Sequence, residues 1–184
     1  MKNYIYIAAL LISTLSFSQA YNGQDDFKFQ VGANFQSEGT GVMASFDYGI
    51  GENISIGVSS IYLLGVTEFS EEVAAVTGDN TAITFADAEF LDRYDIRFRF
   101  NANLSNVINI SPAFDLYPGL DLGLKNFGGH LGARYFFTDG FGVFTELNVP
   151  FAKYKKEEDI DLIDRPRKEL NNQFNVSFGA SFNI

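Results

Sequence analysis

Few side chains in this sequence could act as a catalytic base or nucleophile. The chain contains one histidine, His130, and no cysteine, so a thiol nucleophile is excluded and His130 is the sole imidazole that could transfer a proton. No serine lies near His130 along the chain. We therefore interpret His130 as a polar group in the interior or at the rim of the fold. We predict that the protein is not an enzyme and has no catalytic residues.

Arg134 and Glu146 are oppositely charged residues that could form a buried ion pair. They lie on consecutive segments in which apolar and polar residues alternate, and both fall on the polar face. A buried charge without a partner is costly, so opposite charges that face one interior are expected to pair. We predict a buried Arg134–Glu146 ion pair that stabilises the fold. A gate or a proton path is the alternative use of this pair.

Metal and cofactor chemistry have little support in the sequence. One histidine and no cysteine cannot form a site of several His and Cys ligands. Residues 65–92 carry acidic side chains and no lysine or arginine, but they lack the spacing of an EF-hand calcium loop. We interpret this stretch as a solvated acidic loop. We predict no metal and no cofactor.

Length, charge and composition limit the remaining classes of protein. The 184 residues carry a formal net charge of −10. This length fits one domain, and the acidic balance argues against nucleic acid as a partner, because nucleic acid requires clustered lysine and arginine. Hydrophobic residues make up 46% of the chain, which is too many for an intrinsically disordered protein.

Residues 1–20 have the pattern of a secretory signal peptide. Lys2 precedes a largely apolar run over 4–15, and Ser18 and Ala20 are small residues at the positions that a signal peptidase reads. We predict cleavage after Ala20, which leaves a mature domain of residues 21–184.

The mature domain contains eight segments in which apolar and polar residues alternate. Successive side chains of a strand point to opposite faces, so each segment predicts a strand with one apolar and one polar face. Segments of about ten residues with this period are typical of transmembrane barrels. They are residues 27–36, 42–50, 54–64, 94–103, 108–122, 127–137, 141–151 and 174–184. The predicted fold is all-β, an eight-stranded antiparallel up-and-down transmembrane β-barrel. Met43 is an exception to the alternation, and residues 61–64 predict a bulge.

The connections between the segments support the same fold. Residues 51–53, 104–106 and 138–140 predict short turns at one end of the barrel. The opposite end would carry two long loops, at about 65–92 and 153–172. Short periplasmic turns and longer outer loops are typical of outer-membrane barrels.

The polar faces of the segments carry nearly balanced charges. An eight-stranded barrel has an interior that side chains just fill, so we expect these charged groups to form a compensated interior network together with His130. The predicted network consists of Lys28, Asp47, Asp95, Arg97, Arg99, Asp115, Asp121, His130, Arg134 and Glu146.

Two stretches of the chain resemble a known family. Residues 132–147 look like the penultimate hairpin, and residues 117–124 are similar to the fifth strand, of small eight-stranded outer-membrane barrels of the OmpA/OmpX-like superfamily. The resemblance implies a monomeric barrel inserted by the outer-membrane barrel assembly machinery, and it implies no single activity. Residues 177–184 resemble the C-terminal insertion signal of such barrels, with Gly179, Phe182 and Ile184 at its marked positions.

The sequence thus predicts a cell outer-membrane protein of a Gram-negative envelope, without an open pore and with a structural or surface-interaction role. Its expected partners are outer-membrane lipid and lipopolysaccharide, whose phosphates could meet the lysines and arginines of residues 153–172. Two alternatives stay open. A lipocalin-like soluble periplasmic barrel would bind an apolar ligand with the Phe-rich face turned inward. An enzyme that modifies envelope lipids would use an accessible His130 beside a carboxylate or hydroxyl.

Overall fold

The computed structural model describes residues 19–66 and 88–154, residues 170–184, and the backbone of two short strands at 70–73 and 82–85. The predicted signal peptide lies outside these residues, except for its last two positions. Most of the two predicted outer loops lies outside them as well. None of the helices in the described ranges is long and apolar enough to cross a membrane.

The described chain forms ten strands and two single-turn helices. In chain order they are β1 (Phe27–Gln36), β2 (Gly39–Gly51), β3 (Ile54–Val66), β4 (Ser70–Val73), β5 (Ala82–Phe85), α1 (Phe90–Arg93), β6 (Tyr94–Ala102), α2 (Ser105–Ile108), β7 (Phe114–Gly123), β8 (Asn126–Phe136), β9 (Phe141–Lys153) and β10 (Asn175–Asn183).

Eight of these strands close into one antiparallel barrel in the order β1-β10-β9-β8-β7-β6-β3-β2, while β4 and β5 pair only with each other. The prediction of an all-β, eight-stranded up-and-down barrel is confirmed. The expected bulge is also confirmed, because Thr40 pairs with Gly65 whereas Gly41 pairs with Leu63, which leaves Leu64 unpaired in the ladder.

The two ends of the barrel differ. At the turn end, β2 and β3 are joined by residues 52–53, and β8 and β9 by residues 137–140; at the loop end, the long connections from β3 to β6 and from β9 to β10 leave and re-enter the barrel. The prediction that both long connections share one end is therefore confirmed.

The connection between β6 and β7 was predicted as a short turn, and this was wrong. Residues 103–113 make a longer connection that contains α2. Asn109 ends α2 in the left-handed conformation, with a φ of 52°, and Pro112 cannot donate to a strand ladder. Ile108 and Ile110, which were assigned to the strand, consequently lie before β7.

The apolar faces of the barrel strands point outward. Exposed phenylalanines occur along the whole wall: Phe27, Phe35, Phe46, Phe98, Phe100, Phe127, Phe137, Phe141, Phe151, Phe174 and Phe178. Most of the side chains buried among the described residues are polar or charged. The distribution of a water-soluble protein, with an apolar core under a polar surface, is inverted here.

Aromatic rings gather at both ends of this outer wall. At the turn end, Phe29, Phe182, Phe141 and Phe137 follow one another with centroid distances of 6.2, 5.6 and 6.3 Å. At the loop end, Phe127 lies 6.1 Å from Phe151. Exposed aliphatic side chains share the middle of the wall with Phe46 and Phe98: Val31, Leu120, Leu131 and Leu147.

Candidate functional site

All ten residues of the predicted interior network are buried, with relative exposures of 6% or less. Their side chains point into the barrel because successive residues of a strand face opposite sides, and each of the ten occupies an inward position. They fall into three groups along the barrel: Asp95 and Arg97 at the loop end, Lys28 at the turn end, and the other seven residues between them.

Arg99 is the centre of the middle group. Its Nη2 donates to Oε2 of Glu146 at 2.6 Å, and its Nε lies 3.3 Å from Oδ1 of Asp47. Asp47 also lies 3.9 Å from Nη1 of Arg134, so its carboxylate stands between two guanidinium groups. Neither oxygen of Asp47 accepts a hydrogen bond from the described residues. Asp47 therefore acts through its charge, which offsets that of the two arginines.

Arg134 does not pair with Glu146, so that prediction was wrong. Its Nη2 donates instead to Asp115 and to Asn103, both at 2.7 Å. The strand register explains the difference, because Asp115 lies directly opposite Arg134 on β7, whereas the residue opposite Glu146 on β8 is Gly132. Cross-strand neighbours on one face are close enough to interact.

Tyr117 completes the middle of the barrel and was absent from the predicted network. Its ring lies 4.7 Å from the Arg134 guanidinium carbon and 5.9 Å from that of Arg99. These distances fit cation–π contacts. Gln30 donates to the Tyr117 hydroxyl at 3.2 Å. The signal that could have found Tyr117 is its parity, because it shares the inward face of β7 with Asp115.

The two ring nitrogens of His130 contact an aspartate and an arginine. Its Nδ1 lies 2.9 Å from Oδ2 of Asp121, and its Nε2 lies 3.1 Å from Nη2 of Arg99. Because the arginine can only donate, Nε2 must accept and Nδ1 must carry the proton. His130 therefore has the carboxylate neighbour that the enzyme alternative requires. It lacks the required access, since it is 6% exposed and both nitrogens are occupied.

A segment after β9 closes the barrel at the loop end. Arg97 pairs with Asp95 at 2.6 Å and donates to the backbone oxygen of Asn171 at 2.9 Å. Leu170 is buried against Met43, Ile61, Leu63 and Phe144. Met43 and the 61–64 stretch, which interrupt the alternation, thus provide the apolar socket that receives Leu170.

The residues before β1 close the turn end. The Tyr21 hydroxyl contacts the backbone oxygens of Gly51 and Ile54, at 2.9 and 2.6 Å. Burial, followed by the charge of Asp26, raises the pKa of Tyr21 to about 12. Lys28 pairs with Asp26 in the same region. Polar and charged side chains fill the described interior and the Phe-rich face points outward, whereas the lipocalin-like alternative needs that face to point inward.

The predicted insertion-signal residues lie along the closing seam. Gly179 pairs with Gly32 across β10 and β1, and a Cβ at Gly179 would lie 2.2 Å from the backbone oxygen of Val31. Phe182 belongs to the aromatic group at the turn end, while Ile184 is 77% exposed. Gly179 thus has a packing role of its own. Their role as an insertion signal stays a prediction.

Among the described residues, no group of three or more His, Asp and Glu side chains is placed to hold a metal ion. Each acidic group of the network contacts an arginine, lysine or histidine. The arrangement is suited to holding strands together by charge and hydrogen bonds.

Residues 11–184 match the model of a family described as a family of unknown function, DUF6646. The chain belongs to this family. No curated protein matches the sequence significantly. The chain is similar to the N-terminal β-barrel domain of Pseudomonas aeruginosa OprF, with a TM-score of 0.48 and 11% identity over 89% of this chain and 100% of that one.

Proposed function

We propose that this protein is a small outer-membrane β-barrel of a Gram-negative envelope, with a side-chain-filled polar interior and no open pore. Its role is structural, or consists of surface interactions through the loops at about 65–92 and 153–172. The observation that carries this proposal is the inverted wall: apolar side chains outside, aromatic rings at both ends and charged side chains inside.

A lipid bilayer explains this wall. Outer-membrane barrels have an outward apolar band flanked by aromatic girdles at both interfaces, and their strands span the membrane with about 9–11 tilted residues. The barrel strands here have 9 to 13 residues. In water the same wall would expose a continuous apolar surface far larger than soluble monomers tolerate.

The interior supports a closed barrel. Tyr117 lies between Arg99 and Arg134 at mid-height, Leu170 seats in its socket at the loop end, and Tyr21 is buried at the turn end. An ion would have to displace paired groups at each level, so we propose that the barrel does not conduct.

The proposed partners follow from this location. They are outer-membrane lipid and lipopolysaccharide around the wall, and the barrel assembly machinery, which would read Gly179, Phe182 and Ile184 during insertion. We propose a monomer, because every barrel strand already pairs on both edges.

Outer-membrane fractionation followed by gel electrophoresis with and without boiling tests the proposal. We expect the protein to sediment with the outer membrane and to shift in mobility on heating, as a detergent-resistant barrel does. A soluble periplasmic protein without a shift would overturn the proposal.

A further inference from the structure

The α1 turn, Phe90–Arg93, lies against the outer wall of the barrel. The Phe90 ring is 5.5 Å from the Tyr62 ring and 5.6 Å from the Tyr94 ring, between centroids. Tyr62 and Tyr94 are direct partners across β3 and β6. Both point outward, because their neighbours Ile61 and Asp95 are buried inside the barrel. The ring of Phe90 therefore packs on the outer wall of the barrel and does not cover its opening.

The surface around this turn is apolar and exposed. Phe90 is 62% exposed, Leu91 71% and Leu64 63%. Phe90 packs on Tyr62 and Tyr94, Leu91 follows Phe90 in α1, and Leu64 lies two residues after Tyr62 in β3; we call these five residues the α1 patch. A contiguous apolar patch of this kind marks a contact site. Nothing in the described chain covers it.

Hydrogen bonds made by α1 and by the residues beside it fix the turn in place. The Asp92 carboxylate accepts from the Glu89 backbone N–H at 2.9 Å. The Arg93 guanidinium donates to the backbone oxygens of Ala88 and Leu64, at 3.1 and 3.3 Å. Lys125 donates to the backbone oxygen of Asp92. The apolar side chains are thus presented by a turn that is already braced against β3 and the β7–β8 connection.

We propose that the α1 patch is an interfacial anchor that inserts among the acyl chains of the outer leaflet, just below the lipid headgroups. The inference rests on the proposed outer-membrane location. Its partner is lipid because the patch continues the outward apolar wall without a polar break: the Tyr62–Tyr94 pair belongs to the strands themselves. Aromatic rings favour the membrane–water interface, and a short apolar face lying in that plane binds through buried apolar area. The anchor would fix how deep the barrel sits.

The absence of tryptophan from the sequence permits a direct test. Single-tryptophan variants are made at three positions and reconstituted into phospholipid vesicles that carry bromine at different depths of the acyl chain. Phe90→Trp reports on the patch and keeps the ring stack. Phe98→Trp reports on the middle of the wall, where Phe98 is 66% exposed. Ser37→Trp reports on the short β1–β2 turn at the same end of the barrel.

We expect the emission of the Phe90→Trp variant to be blue-shifted and quenched most by bromine near the headgroups. The emission of the Phe98→Trp variant should be quenched most by deep bromine. The Ser37→Trp variant should respond to iodide in the water and little to bromine.

Two outcomes separate the anchor from the location on which it rests. If the Phe90→Trp variant behaves like the Ser37→Trp variant while the Phe98→Trp variant is quenched by lipid, the anchor is overturned and the membrane barrel stands. If the Phe98→Trp variant also escapes quenching in folded protein, the proposed location itself fails.

Discussion

The Tyr117 ring fills the space that a side chain at Gly132 would occupy. The two residues are direct partners across β7 and β8, and a Cβ at Gly132 would lie 2.1 Å from two ring carbons of Tyr117. The ring in turn lies within cation–π distance of both the Arg99 and the Arg134 guanidinium groups. A missing side chain on one strand thereby makes room for a buried tyrosine ring on the next.

Gly132→Ala should destabilise the barrel. Overpacking a filled interior typically costs about 1–3 kcal/mol, and here the ring could move only toward one of the two arginines. Urea unfolding of the refolded protein in detergent micelles measures the effect. Gly140→Ala is the matched control, because a Cβ there meets nothing within 4 Å. Equal stability of both variants would contradict the packing described for Tyr117.

The register also predicts which charge swap is tolerated. Arg134→Asp alone should cost about 3–5 kcal/mol, the usual penalty for leaving a buried charge without its partner. Combining Arg134→Asp with Asp115→Arg should recover part of that loss, because the two side chains are cross-strand neighbours at 2.7 Å. The fraction of protein that shows the compact band on an unboiled gel is the readout.

The matched control for that swap is Arg134→Glu with Glu146→Arg. It keeps the net charge but exchanges residues that do not contact each other, so we expect no recovery over Arg134→Glu alone. If stability recovers in this control and not in the Arg134/Asp115 swap, the Arg134–Glu146 pair predicted from the sequence would be correct.

Leu170→Ala should weaken the closure of the loop end. Truncating a buried leucine typically costs about 2–5 kcal/mol, and Leu170 is 0% exposed in its socket. Protease cleavage near residue 170 in the micelle-bound protein should become faster. Leu124→Ala serves as the control, since Leu124 is 62% exposed on the same end. Unchanged cleavage in Leu170→Ala would show that the segment is held by its hydrogen bonds alone.

We expect Nδ1 of His130 to donate a hydrogen bond to Asp121 and its Nε2 to accept one from Arg99. The chain has a single histidine, so the ring ¹⁵N chemical shifts of the refolded protein can be assigned without a mutant. We expect a protonated Nδ1 facing Asp121 and an unprotonated Nε2 facing Arg99. A proton on Nε2 would be incompatible with the 3.1 Å contact to Arg99.

The stability contributed by Tyr21 should disappear at high pH. Its pKa rises from the ordinary value of 10.0 to about 12 in the folded protein, so the folded state binds the phenol proton more tightly than the unfolded state. The contribution is therefore present below pH 10 and falls as the pH rises from 10 to 12. The difference in unfolding free energy between the native protein and Tyr21→Phe, measured across this range, should narrow accordingly. A difference that does not change with pH would contradict the burial of this phenol.

Alternation was enough to predict the eight barrel strands and which face of each carries the polar residues, although β7 begins at Phe114 and not at Ile108. Phe27–Gln36 agrees with its predicted range to the residue, because a regular apolar/polar period of two leaves little freedom. The partners inside the barrel could not be predicted in the same way. Whether Arg134 pairs with Asp115 or with Glu146 depends on the register between neighbouring strands. The alternation within a single strand carries no information about that register.

Two of the remaining differences arise where distant parts of the chain meet, and one arises from local backbone geometry. Met43 and Ile61 are apolar residues at inward positions, and they form a buried cluster with Leu170, which follows them by more than a hundred residues. The parity of Tyr117 on β7 predicts that it faces inward, but the space for its ring depends on Gly132 of the neighbouring strand. The longer β6–β7 connection follows from Asn109 and Pro112, whose local geometry ends one element and delays the next.

The seam between β1 and β10 has a consequence for how the barrel assembles. Lys28 pairs with Asn183 and Gly32 with Gly179, so the first barrel strand finds one of its two partners only in the last. Such a contact closes almost the entire chain into one loop. The chain loses conformational entropy when this loop closes, before the hydrogen bonds of the seam can form. Topologies dominated by distant pairings fold slowly. Until this step is complete, the edges of β1 and β10 stay open to other strands, so we expect seam formation to be the slow and aggregation-sensitive stage of folding.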